Sequence, residues 1–200
     1  MSKLSLVVQY PKTDDLLKRF SFVDNKILQE NVAIAVQHIS FLVSLDAEYE
    51  LGGAIQNSAY KNIIMLSASV AEGLINWKLH KIIEAHPEMR ENCCISKPSY
   101  LEVKQICLDE SRVEIWAVKK GKQVIPLDSQ TDFIKLITYA KKVNLFDNDL
   151  ESKANELRVA RNKVHLASLA EVDDKYTKKQ IDNCFGIMAN IIQCIEKASH

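Results

Sequence analysis

The sequence predicts an all-α protein: a helical bundle with one small β-hairpin excursion, in a single domain spanning 1–200. Three observations carry that prediction. Apolar residues recur at three- and four-residue spacing along five stretches, the signature of amphipathic helices. Only 5 Gly and 4 Pro in 200 residues leave little room for a many-turned β architecture. One stretch, 57–84, is apolar on two opposite sides, as a helix surrounded by others must be.

Taken in order, Asp24 is placed to cap a helix running to about Leu45, with Leu28, Val32, Ala35, Ile39 and Leu42 on one stripe. The second helix runs from about Asn57 to Glu84 and must stop before Pro87. Ile63, Leu66, Val70, Leu74 and Trp77 form one stripe on it, and Ile64, Ala68, Ile75, Leu79 and Ile82 the other. Its small residues Ser67, Ala68, Ser69, Ala71 and Gly73 allow close approach of a neighbour. Pro98-Ser99 is expected to open a short helix through Cys107. Val113–Val118 and Gln123–Pro126, joined by a turn at Lys119-Lys120-Gly121-Lys122, are expected to form the hairpin, about 112–127. Helices resume at Thr131–Lys142 and Asp149 to about Ala167. The last, Thr177–Ala198, carries Ile181, Cys184, Phe185, Met188, Ile191, Ile192 and Ile195 as its stripe.

Composition excludes several function classes. Lys plus Arg number 26, as do Asp plus Glu, so no overall positive field recruits nucleic acid, and any such contact must be local. The most apolar run, Asn62 to Ile83, holds Glu72, Asn76, Lys78, His80 and Lys81, so no membrane span is expected. Five scattered cysteines, and an opening Met1-Ser2-Lys3-Leu4 without a sustained apolar stretch, lead to the expectation of reduced thiols in the cytoplasm. Cys93, Cys94 and Cys107 with His80 and His86 lack paired metal-ligand spacing, so no metal and no cofactor is expected. Cys184 and Cys194 are expected to pack, and His38 to sit at the core edge. The three lysines at 119, 120 and 122 are expected as a solvated turn able to touch a phosphate backbone.

Two anomalies point to a site. On the helix through 156–165, a projection at about 100° per residue puts Leu150, Ala154, Leu157 and Val164 on an inward arc. Arg161 falls within that arc, with Arg158 and His165 on its shoulder. On the central helix, Glu72 projects among Ile64, Ala68, Ile75 and Leu79. A carboxylate there wants a cation, and Arg158 and Arg161 are the candidates. A structural ion pair between two packed helices and a functional Glu72 that orients an arginine or tunes His165 are both consistent with this pattern.

The pattern Leu157-Arg158-x-x-Arg161-Asn162-x-x-His165, with Ser67–Ile75 around Glu72 on an earlier long helix, resembles the HEPN superfamily. The resemblance implies a small α-helical bundle, often dimeric, from bacterial toxin–antitoxin, phage-defence or RNA-processing systems. It implies metal-independent RNA cleavage, with two copies of an Arg…His motif meeting across a homodimer interface. It also implies RNA or a nucleotide as ligand, and an antitoxin or defence-system protein as partner. The family motif is Arg, commonly a polar residue, then His after four to six intervening residues. Arg161 has the polar Asn162 but only three residues before His165. Arg158 has six, but Val159 follows it. Arg158, Arg161, Asn162 and His165 are therefore all candidate catalytic residues, with Glu72 supporting. The chemistry such a site needs is a near-neutral proton carrier, His165, and a permanent cation facing the phosphate. A non-catalytic module that dimerises and binds RNA, a nucleotide or a protein is the alternative reading.

Overall fold

The computed structural model describes residues 8–107, 114–125, 127–128, 131–164 and 176–199, with side chains described outside 95–125. It is a bundle built around one long helix. The elements are α1 (Thr13–Arg19), α2 (Lys26–Tyr49), α3 (Gly53–Ala85), a 3₁₀ turn (Pro87–Cys93), β1 (Ile95–Cys107), β2 (Glu114–Ile125), α4 (Phe133–Lys142), α5 (Asn148–Lys163) and α6 (Lys178–Lys197). Among the described residues no helix is long and apolar enough to cross a membrane.

The central position of α3 follows from its two apolar stripes. Ile63, Ile64, Ala68, Leu74, Ile75 and Leu79 are all essentially inaccessible, and α3 packs against α2, α4, α5 and α6. At 33 residues it runs roughly 50 Å. The small residues act as expected at one point: a Cβ added to Gly73 would lie 3.2 Å from Leu28 Cδ1, so α2 approaches α3 closely there. The chain reverses between α2 and α3 through left-handed backbone at Glu50 (φ 47°) and Gly53 (φ 59°). The cap of α2 is Asn25, whose side chain accepts from Leu28 N, and not Asp24. Asp24 instead accepts from Trp77 Nε1 at 2.9 Å and pairs with Lys81 at 2.7 Å.

α6 matches its predicted bounds because its start is encoded locally. Thr177 and Gln180 cap each other reciprocally, satisfying backbone amides at the helix start. Phe185 departs from the predicted stripe. It is 39% exposed, and Ile187 is buried in the core instead. His38, expected at the core edge, is exposed. The short α1 escaped the sequence reading; Gln37 and Gln29 on α2 hold it by donating to Pro11 O and Leu17 O.

The region before α4 requires a larger correction. No turn forms at Lys119–Lys122. Those residues sit inside β2, opposite Glu102, Tyr100, Ser99 and Pro98 of β1. The helix expected from Pro98 through Cys107 is strand β1. The two strands pair antiparallel from Ile95–Ile125 to Cys107–Glu114, with a register shift between Tyr100 and Glu102. Continuous pairing along β1 outweighed the local turn signal of Lys-Lys-Gly-Lys, since strand preference depends on the neighbour. Pro98 is tolerated because both strands of a two-stranded ribbon are edges.

Candidate functional site

The loop before α4 is tied to α3 one turn beyond Glu72. Asn76 Nδ2 donates to Asp128 O at 3.2 Å. The loop closes on itself, with Asp128 N donating to Thr131 Oγ1 and that hydroxyl donating to Asp128 Oδ1. This places the start of α4 beside Glu72. The N-cap Asp132 makes no side-chain cap hydrogen bond and pairs with Lys135.

α5 supplies the cations. Asp147 caps its start by accepting from Leu150 N at 2.8 Å. Acidic residues occupy its first turn, and Arg161 and Lys163 its last, as the helix dipole favours. Ala154 and Leu157 are fully buried and fix the rotation of the helix. Arg161 and Arg158 then emerge together. Arg161 Nη1 donates to Glu72 Oε2 at 3.0 Å, with both side chains a little over a quarter exposed (27% and 28%). The predicted pairing of these two helices through Glu72 and Arg161 is therefore present. Neither group lies deep in the core, however. The pair sits at the rim, where α5 meets α3.

Glu72, Arg158, Arg161 and Asn162 line one polar pocket of about 400 Å³ together with Thr131, Asp132, Phe133 and Ile134 at the start of α4. Arg158 makes one hydrogen bond among the described residues, from Nε to Asn155 Oδ1 at 3.2 Å, and no ion pair. Asn155 in turn donates to Glu151 O, which steadies it. His165 lies outside the described residues. Among the described residues, no cluster of three His, Cys, Asp or Glu is arranged to hold a metal.

Sequence reasoning placed the α4 helix but not the part its start plays in the site, and it missed Asn155. The N-cap position of Asp132 before an apolar helix was a visible signal for the first. Nothing local marked Asn155, whose importance comes from its hydrogen bond to Arg158. The cysteines expected to pack do so: burial pushes the Cys184 thiol up to about 11, and Cys194 donates to Leu145 O.

No protein-family model, curated protein or solved structure matches this chain.

Proposed function

We propose that the chain binds an RNA phosphodiester in the Arg158–Arg161 pocket and cleaves it without a metal, as an endoribonuclease of the HEPN type. The observation that carries this reading is Arg158, a guanidinium in a polar pocket with no carboxylate partner among the described residues. Two guanidinium groups face the single Glu72 carboxylate, and Lys135 offsets Asp132. The lining itself is charge-balanced, Arg158 and Arg161 against Glu72 and Asp132. Glu72 is engaged by Arg161, however, and Asp132 by Lys135 from outside the lining, which leaves Arg158 to face the single negative charge of a phosphodiester. The first amides of α4, whose N-cap side chain does not cap them, add partial positive charge on the same side.

In this reading the RNA 2′-hydroxyl attacks the adjacent phosphorus and the 5′-oxygen leaves, giving a 2′,3′-cyclic phosphate. Arg158 and Arg161 stabilise charge developing on the non-bridging oxygens, forked and permanently protonated. His165 follows Arg161 by one helical repeat in the sequence and carries the proton. Asn162 donates to the phosphate. The active species is a homodimer that brings two such motifs together, and the biological role is that of a toxin or phage-defence effector restrained by a protein partner. These last points rest on the HEPN resemblance.

The second reading is a non-catalytic HEPN-like module that binds RNA, a nucleotide or a protein. The Glu72–Arg161 pair favours it, since an arginine already neutralised is a weaker catalyst. Purified protein incubated with RNA in excess chelator separates the two. Cleavage leaving cyclic phosphate ends, lost in His165→Ala, supports the enzyme. Intact RNA with retained binding supports the module. Growth arrest on expression in bacteria, relieved by His165→Ala, is the matching test in cells.

A further inference from the structure

On the other flank of α5, a cleft between α5 and α6 takes no part in the phosphate chemistry above. Its volume is about 420 Å³, within the range of small-molecule sites. Ile64 and Cys184 form buried apolar wall, and Tyr176 adds an aromatic ring. Three amide side chains, Asn155, Gln180 and Asn183, also line it.

Two of those amides are differently committed. Gln180 Oε1 accepts from Thr177 N and Oγ1, so its amide nitrogen is the part able to donate to a guest. Asn183 donates to Glu156 Oε2 at 3.4 Å, so its carbonyl oxygen is the part able to accept. The two lie one turn apart on α6, presenting a donor beside an acceptor. An apolar slot with an aromatic wall and such a pair complements a planar base with a hydrogen-bonding edge. A purely hydrocarbon guest would strip water from the amides and return nothing.

We infer that this cleft is a nucleobase subsite, holding the base next to the phosphodiester at Arg158 and Arg161. The inference rests on the phosphate-binding reading for its neighbour. Asn155 joins the two sites, since it lines the cleft and accepts from Arg158, which lines the phosphate pocket. The width of one helix, roughly 10 Å, separates them. Lys163, at the end of α5, also lines the cleft and provides a cation for the next phosphate.

The test uses the full chain and two probes: the four ribonucleoside monophosphates, and 2′-deoxy dinucleoside monophosphates that cannot be cleaved through a 2′-hydroxyl. Binding is read by calorimetry and by NMR shifts of the Asn155, Gln180 and Asn183 side-chain amides. Both nucleotide probes should shift those amides saturably and bind at least tenfold more tightly than inorganic phosphate, which has no base. Asn183→Leu, at an exposed position that leaves the fold intact, should weaken nucleotide binding by roughly tenfold, the range of one base contact. Ala160→Phe, which fills the cleft, should do the same, with the melting temperature measured alongside. Unshifted amides, unchanged binding by both variants, or inorganic phosphate binding as tightly as the nucleotides would each overturn the subsite. Loss of binding in Asn183→Leu with no effect of Arg158→Ala would instead overturn the phosphate reading and leave the base site standing.

Discussion

Removing the charge of Glu72 tests whether the Glu72–Arg161 pair is scaffold, restraint or both. The groups approach to 3.0 Å, and each side chain is about a quarter exposed. At about 4 Å between charge centres, attraction is about 1 kcal/mol in water and about 4 kcal/mol at an effective dielectric near 20. Partial desolvation offsets much of the larger figure, and exposed pairs retain about 0.2–1 kcal/mol. A double-mutant cycle of Glu72→Gln and Arg161→Gln, read by urea unfolding, should therefore give a coupling of about 1 kcal/mol. In a chain of this size that corresponds to roughly 2–4 °C in melting temperature. The same Glu72→Gln variant should bind inorganic phosphate several-fold more tightly, because the carboxylate that competes for Arg161 is gone. A coupling indistinguishable from zero would refute the pair as a stabilising contact between α3 and α5. A coupling above about 3 kcal/mol with unchanged phosphate affinity would make the contact purely structural.

Three further outcomes are expected. Burial, then the hydrogen bond to Asp46 at 2.7 Å, pushes Tyr60 up to about 12 from its usual 10. Its folded-state value is raised, so its contribution to stability is complete below pH 10 and lost as pH climbs towards 12. Tyr60→Phe should flatten that part of the stability profile, and an unchanged profile would contradict the contact. Leu157 is fully buried where α5 packs, so Leu157→Ala should cost roughly 3 kcal/mol, lowering the melting temperature by about 6–12 °C; a shift under 2 °C would mean α5 is not docked as described. Sedimentation at protein concentrations of roughly 10⁻⁵ M should show a dimer, since even moderate interfaces assemble there. A monomer would remove the paired-site mechanism.

The fold was legible where one helix face decides burial. The two stripes of α3 and the single stripe of α6 are local, periodic signals; α6 matches to within a residue at each end, while α3 begins four residues before the predicted Asn57. Lys119–Lys122 was not legible, because a turn-like tetrapeptide becomes strand once 95–107 pairs with it. Phe185 failed for a different reason. It lies on the shoulder of its stripe, where a few tens of degrees of helix rotation separate packing from solvent. The site was half legible. Glu72 and Arg161 each broke an apolar pattern, and such breaks can be seen without coordinates. The contribution of Asp132 and the α4 start depends on Asn76 holding a loop 52 residues away, which no local pattern encodes.

The sharpest test is the salt dependence of binding to a 2′-O-methyl RNA oligonucleotide, which isolates binding from cleavage. Each phosphate contact releases a counterion, so the slope of log affinity against log salt counts contacts. Arg158→Ala should weaken binding at every sequence and lower that slope by about 0.7 to 1, one contact's worth. Affinity and slope unchanged from wild type would mean that no phosphate sits at Arg158.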